Sequence, residues 1–257
     1  MSDSLSKINK KLKAHYLSSK KFNYDITVAH KIFRYLSFPL SSLFIKFEIS
    51  PNKITFLGLL FLLFSFILLM MDSKNFIYLG ILFYLIYIIL DFSDGNVARY
   101  LNKSNFFGKL IDGFVDFLSF LIFIPFYYVY RTFNDLDADD DFYLALSITI
   151  SFLALIYCYL KLRISLFEKE SMKKIIKSKD NVEDNSRLQH RFLKLFSQIS
   201  ENILTGIPIL FLLFLILNKL DIFLFFYFLY FSIICSTEII IRMIRIKDKM
   251  SSESVEE

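Results

Sequence analysis

The stretch DFSDGNVARYLNKSNFFGKLIDGFVD, residues 91–116, places four aspartates between two long apolar segments. FIYLGILFYLIYIIL (76–90) precedes it, and FLSFLIFIPFYYVY (117–130) follows it. Apolar blocks of this length, without the polar alternation of a soluble domain, predict helices that cross a membrane. The whole chain is typical of that class, since 55% of its 257 residues are hydrophobic.

Six apolar segments are predicted to span the membrane, so the predicted fold class is an all-α membrane protein. Their approximate bounds are 54–71, 76–92, 110–130, 142–160, 197–217 and 222–241. Pro208 is expected to kink the fifth of these spans.

A further apolar stretch, residues 27–48, is interrupted by Lys31, Arg34, Pro39 and Lys46. This pattern favours an amphipathic helix that lies in the membrane interface, and a short additional span is the alternative. The predicted organisation has three parts. These are a cytoplasmic N-terminal segment (1–26), a membrane domain (27–246) and a cytoplasmic tail (247–257).

The loops alternate in charge along the chain. The three loops after the first, third and fifth predicted spans contain only Lys74, Arg131 and Lys219 of the 30 Lys and Arg residues. Because loops rich in Lys and Arg stay in the cytoplasm, both termini and residues 91–116 are expected there. The net charge of +5 suits contact with anionic membrane lipids. Nucleic-acid binding is disfavoured, because no folded soluble module would present the basic residues.

The spacing of the four aspartates predicts a site for cations. Asp91 and Asp94 are three residues apart, and Asp112 and Asp116 are four apart, so each pair lies on one face of a helix. The second and third spans are antiparallel, which brings both pairs to the same cytoplasmic boundary. Carboxylates gathered in a low-dielectric region need protons or cations. Oxygen-only ligands suit Mg²⁺ or Mn²⁺, and two such ions would stabilise a phosphoryl displacement.

The aspartates allow two other interpretations. They could be solvated residues that cap helices, but Asp91 ends a span and gains nothing from a helix N-terminus. They could also begin a pathway for a divalent-cation transporter. Such a pathway needs polar groups through the whole membrane thickness, whereas the outer halves of the second and third spans are Phe, Ile, Leu and Tyr.

The pattern D-x2-D-G-x2-A-R-x8-G-x3-D-x3-D resembles the signature of the CDP-alcohol phosphatidyltransferases. Its eight positions are filled by Asp91, Asp94, Gly95, Ala98, Arg99, Gly108, Asp112 and Asp116. A second family motif, PN-x2-T at the entry to the first span, is similar to Pro51, Asn52 and Thr55. The six-span layout also agrees with this family.

The resemblance implies metal-ligand roles for the four aspartates and a general-base role for Asp116. It puts the CDP group near Asn52, Thr55, Gly95, Ala98, Arg99 and Gly108. The implied reaction is attack of an acceptor hydroxyl on a CDP-alcohol, with release of CMP and help from Mg²⁺ or Mn²⁺, two ions in all. The family resemblance also suggests a homodimer.

The substrates stay open at this point. Either CDP-diacylglycerol donates to a small polar acceptor, or a CDP-linked polar alcohol donates to a lipid or phosphorylated polyol. Lys161 and Arg163, at the end of the fourth span, favour a phosphorylated acceptor such as inositol phosphate or glycerol phosphate. Arg187 and Arg191 are further candidates. The alternative for all four is ordinary cytoplasmic flanking charge. The three histidines lack partners at metal-ligand spacing.

Overall fold

The computed structural model of the protein describes residues 4–18, 28–103, 106–134, 141–175, 203–204 and 206–253. Regular secondary structure in this part of the chain is entirely helical. The helices are α1 (Leu5–Ser18), α2 (Val28–Lys46), α3 (Pro51–Leu69), α4 (Lys74–Tyr100), α5 (Phe106–Ser119), a 3-10 turn (Phe120–Ile122), α6 (Phe123–Asn134), α7 (Asp141–Ile175), α8 (Ile207–Ile216) and α9 (Leu220–Glu253).

Five stretches among the described residues are long and apolar enough to cross a membrane. They are Pro51–Leu69, Lys74–Tyr100, Phe107–Asn134, Asp141–Leu160 and Leu220–Thr237. The chain is therefore an all-helical integral membrane protein, as its composition predicts. The predicted span over 197–217 is described only in part. Its α8 has ten residues, and residues 197–202 and 205 of this span lie outside the described part.

Pro208 lies in the first turn of α8. A residue without a backbone N–H is tolerated there, because that group has no partner inside the helix. The kink at this position stays a prediction, because part of the preceding segment lies outside the described residues.

The second span differs from its predicted bounds. It was expected to end near residue 92, but α4 continues to Tyr100. Residues 91–100 contain no proline, and Asn96 and Val97 in this last part are buried. The chain leaves the helix at Asn102, which has a φ of 52°. Lys103 N–H donates to the Ala98 carbonyl there, and such a turn commonly ends a helix.

Helices α3 and α4 form a tight antiparallel hairpin because small residues separate them. Ser65 Oγ donates to the Gly80 carbonyl at 2.9 Å. A Cβ atom built on Gly80 would come within 2.9 Å of Leu69 Cγ, so no larger residue fits without movement. This contact fixes α3 against α4 toward the end of the hairpin that is opposite the aspartates.

Helices α1 and α2 pack over the end of α4 that carries the aspartates. Helix α2 forms where the sequence predicts it, with Pro39 inside it. It buries Phe38, Ser37 and Ser41. Helix α1 was not predicted, and it covers α2 with Tyr16 and two aliphatic side chains. Residues that precede the first span therefore cover the part of α4 that carries the aspartates.

Aromatic rings fill the interior farther from the aspartates. Phe126 stacks on Phe211 with ring centroids 3.7 Å apart. Phe123 contacts both Phe223 and Tyr227. These five rings are buried, so the interior between α6, α8 and α9 is apolar. A polar cavity on the aspartate side therefore ends against a packed aromatic core.

Candidate active site

Three carboxylates from two helices form a compact cluster. Asp91 and Asp94 are one turn apart on α4, and Asp112 stands on α5. One ligand oxygen from each of the three lies within 4.8 Å of those of the other two. Spacing of three residues puts the α4 pair on one face. Helix α4 ends in a turn at Leu101 and Asn102, and α5 brings the third carboxylate to the pair.

The cluster suits a hard divalent cation. All three ligand atoms are carboxylate oxygens, which Mg²⁺ and Mn²⁺ prefer. Oxygens on opposite sides of one Mg²⁺ are about 4 Å apart, given bonds of roughly 2.1 Å. The observed separation is close to this limit, so the three groups fit one ion with small side-chain rotations.

Asp116 stands slightly apart from the other three aspartates. It follows Asp112 by one turn of α5 and lines the same cavity. It is exposed and does not belong to the group of three closely spaced carboxylates. The structure thus brings all four predicted aspartates to one cavity, with three in a cluster and the fourth beside it.

Thr55 holds one of the clustered carboxylates. Its Oγ1 donates to Asp94 Oδ2 at 2.6 Å, and both residues are buried. The same oxygen lies 3.2 Å from the Pro51 carbonyl. Because one hydroxyl has one hydrogen, the shorter contact to the charged acceptor is the stronger bond. Pro51 begins α3, and this start places Thr55 one turn into the helix beside Asp94.

A cavity of about 370 Å³ contains this cluster. Its wall includes the four aspartates from α4 and α5, aromatic side chains of α4, and residues of α2 and α8. Its volume is in the range of small-molecule sites, which are roughly 300–1,000 Å³. Tyr84 and Tyr87 line it toward the aromatic core.

Two guanidinium groups line the same cavity as the acidic groups. Arg99 belongs to α4, and Arg34 comes from α2. Asn96 Oδ1 accepts from Arg99 Nη2 at 2.9 Å and from Arg34 Nη1 at 3.3 Å. His30 also lines the cavity, with Nε2 3.1 Å from Arg34 Nη2. The sequence did not identify Arg34, Asn96 or His30 as site residues. The only signal was that Arg34 is one of four residues that interrupt the apolar stretch 27–48.

Comparison with protein families agrees with this arrangement of residues. The family model described as CDP-alcohol phosphatidyltransferase matches residues 48–236, well over half of the chain. The chain belongs to the CDP-alcohol phosphatidyltransferase family. It is accordingly a transferase. Comparison with individual curated proteins finds no match.

Membership fits the cavity in general terms. CDP-alcohol phosphatidyltransferases use CDP-alcohol donors and alcohol acceptors, and they depend on divalent metals. The Asp91, Asp94 and Asp112 cluster has the donor atoms such metals need.

The residues predicted near CDP are placed unevenly around the cavity of this CDP-alcohol phosphatidyltransferase. Gly95 and Arg99 line it. A Cβ atom on Gly95 would come within 3.2 Å of both terminal nitrogens of Arg99, so glycine leaves room for the guanidinium. Thr55 lies behind Asp94. The remaining three are described residues outside the cavity wall: Asn52, Ala98 and Gly108.

The predicted acceptor residues fall largely outside the described atoms. Helix α7 includes Lys161 and Arg163 and continues past the predicted span to Ile175. Only the backbone of these two residues is described. Arg187 and Arg191 lie outside the described residues. An acceptor role for these four stays a prediction.

Proposed function

We propose that this protein transfers a phosphatidyl group from CDP-diacylglycerol to the hydroxyl of a phosphorylated acceptor, with release of CMP. The observation that carries the proposal is the cluster of three carboxylates within 4.8 Å, inside a cavity of a membrane transferase of this family. In the reaction, the acceptor oxygen forms a bond to the phosphorus that bears the diacylglycerol. The bond from that phosphorus to the oxygen of CMP breaks, and CMP leaves with the electron pair.

We assign the four aspartates two kinds of role in this reaction. Asp91, Asp94 and Asp112 would hold Mg²⁺ or Mn²⁺, with Asp116 completing a set for two ions. Bound cations would supply neutralisation of the diphosphate and of the departing CMP. Asp116 would also accept the proton of the attacking hydroxyl. Support for this comes from its position beside the cluster but outside the closest group of three.

The remaining side chains of the site would bind and orient the substrates. Arg99 carries a permanent positive charge on the cavity wall, where it suits a phosphate oxygen. Gly95 leaves the backbone of α4 open to close approach. Lys161 and Arg163 would contact the phosphate of the acceptor, with Arg187 and Arg191 as further contacts. Donation by a CDP-linked polar alcohol to a lipid or phosphorylated polyol is the alternative assignment of substrates.

The proposed arrangement in the membrane has six spans, with α2 in the interface. Both termini and the active site would be cytoplasmic, and residues 27–246 would form the membrane domain. Support comes from the charge asymmetry of the loops and from the mixture of apolar and charged exposed side chains on α2, such as Ile32, Leu36 and Lys46. The functional unit is proposed to be a homodimer.

The test is release of CMP by the purified full-length protein in detergent or nanodiscs. Radiolabelled CDP-diacylglycerol is supplied with glycerol phosphate or inositol phosphate, and with Mg²⁺, Mn²⁺ or EDTA. We expect CMP and a radiolabelled phospholipid to form in equal amounts with metal, and neither with EDTA. No CMP from any CDP-alcohol donor would refute the proposal, and CMP from a polar CDP-alcohol alone would favour the alternative substrates.

The Asp112→Asn variant tests the acidic cluster directly. We expect CMP release to fall by more than about 100-fold, because loss of a ligand should exceed the roughly 10–100-fold effect of losing a ligand's outer partner. Asp72→Asn is the matched control. Asp72 accepts a hydrogen bond from Thr132 and lies just before the start of α4, at the end away from the acidic cluster. Equal activity in both variants would contradict the assignment of Asp112.

A further inference from the structure

Arg34 is a buried charge on the cavity wall, contributed by α2. Only 7% of the residue is exposed, and it lines the cavity with the aspartates. Its guanidinium carbon lies 5.0 Å from the Phe92 ring centroid and 5.4 Å from that of Tyr16. Burying a permanent charge is costly unless ionic or hydrogen-bonding partners compensate it. Arg34 therefore places a fixed positive charge on the wall of the cavity that holds the acidic cluster.

The orientation of Asn96 is determined by its neighbours. Ser37 Oγ donates to the Arg34 carbonyl at 2.7 Å, and Ser41 Oγ donates to the Ser37 carbonyl at 2.7 Å. Because each hydroxyl has already used its hydrogen, both serine oxygens can only accept from Asn96. The amide nitrogen of Asn96 donates to them at 2.9 and 3.3 Å. The amide oxygen must therefore face the guanidinium groups.

The amide oxygen of Asn96 holds two guanidinium groups close to each other. It accepts from Arg99 Nη2 and from Arg34 Nη1, so the two nitrogens are within the sum of two hydrogen-bond lengths of each other. His30 steadies the second guanidinium. Because arginine has only donors, a hydrogen bond here requires His30 Nε2 to accept. Two like charges this close repel each other, unless anionic groups face both of them.

The charge balance of the cavity identifies a suitable anion. Four ionised aspartates are offset by two divalent cations, if both proposed ions are bound. The two arginines then leave two positive charges. The diphosphate of a CDP-alcohol carries two negative charges, one on each phosphate. A planar guanidinium also matches phosphate oxygens in geometry.

We propose that Arg34 and Arg99 form a paired-guanidinium subsite for the diphosphate of the CDP-alcohol, and that Asn96 is its positioning residue. This proposal rests on the proposed function. Arg34 contacts the donor's phosphate oxygens from α2, outside the family signature. Asn96 touches no substrate, and it holds both guanidiniums at the cavity wall.

The experiment measures binding of CDP and of cytidine to the purified full-length protein with Mg²⁺ by titration calorimetry. It compares the wild type with Arg34→Gln, Arg34→Lys and Asn96→Leu. Charged hydrogen bonds contribute enough that Arg34→Gln should raise the Kd for CDP by about 10–100-fold. Arg34→Lys keeps the charge but loses the two-pronged contact, so its effect should be smaller. Asn96→Leu should weaken CDP binding by about 10-fold. Cytidine binding should not change in any of them.

Ser93→Ala is the matched control for packing. Ser93 is fully buried at the same α2–α4 contact, where its Oγ donates to the Ile89 carbonyl at 2.7 Å and lies 3.3 Å from the Ser37 carbonyl, and neither of these two partners is a guanidinium. Its Kd for CDP should stay at the wild-type value. Steady-state kinetics add a second readout, in which Arg34→Gln raises the KM for the donor and leaves the KM for the acceptor unchanged. The unfolding midpoint of each variant identifies loss of folding.

The outcomes separate this proposal from the proposed function. An unchanged Kd for CDP in folded Arg34→Gln and Arg34→Lys would overturn the subsite, and so would equal losses for CDP and cytidine. An unchanged Kd in Asn96→Leu would overturn the positioning role. If the wild type binds CDP through Arg34 but releases no CMP from any donor, the subsite stands and the proposed reaction fails. Failure of the wild type to bind CDP overturns both.

Discussion

Replacing Thr55 with valine should weaken the affinity of the acidic cluster for metal. Valine has nearly the shape of threonine but cannot donate the hydrogen bond to Asp94. That bond is 2.6 Å long, and Thr55 and Asp94 are only 7% and 5% exposed, so water cannot readily replace the lost donor. A hydrogen bond to a charged group contributes about 1.5–3 kcal/mol. Partners of metal ligands typically change metal affinity by about 10–100-fold, which is a similar range.

The assay is CMP release as a function of Mg²⁺ concentration. We expect Thr55→Val to raise the Mg²⁺ concentration for half-maximal activity by about 10–100-fold, with partial recovery of the rate at saturating Mg²⁺. The Mg²⁺-dependent rise of the unfolding midpoint should move to higher concentration in parallel. Thr55→Ser is the control, because it keeps the hydroxyl and should retain wild-type Mg²⁺ dependence. A Thr55→Val protein with the wild-type Mg²⁺ dependence in both measurements would refute the reasoning.

Three further substitutions test the packing and the backbone, each by the unfolding midpoint in detergent. Gly80→Ala should destabilise the protein by about 1–3 kcal/mol, because the new methyl group would overlap Leu69. Gly113→Ala should stabilise it by up to about 1 kcal/mol, since Gly113 is in a helix with nothing within 4 Å of the added carbon. The same direction of change in both would contradict the α3–α4 contact. Glu48→Gly should stabilise it by about 0.5–1 kcal/mol, because the exposed Glu48 has a φ of 55° that glycine adopts without strain. A lower midpoint for this variant would contradict the expected relief of strain.

Most of the confirmed predictions follow from the long apolar segments and from the spacing of the aspartates. Membrane-spanning helices are set by the composition of each segment alone, so their existence is visible in the sequence. The approach of Asp91 and Asp94 to Asp112 follows from helical spacing and one reversal of the chain. These features depend on residues near one another in sequence, or on the antiparallel order of two neighbouring spans.

Other features depend on contacts between distant residues, which the sequence does not display. Arg34 and Asn96 are 62 positions apart, and only their contact shows that Arg34 belongs to the cavity and not to a charged flank. The continuation of α4 past residue 92 has the same origin, because α2 covers this part of the helix. Helix α1 was missed because its apolar residues are few, and they are buried only by packing on α2.

The family match begins at residue 48, two positions after α2 ends at Lys46. A shortened gene that starts at this boundary would keep all eight signature residues and every predicted span. It would nevertheless remove α1 and α2. Asn96 and Ser93, which α2 buries, would become exposed, and the cavity would lose Arg34. Expression clones and chimeras of this protein should therefore begin before Leu5. A shortened version that proves inactive would report on its missing first helices, not on its chemistry.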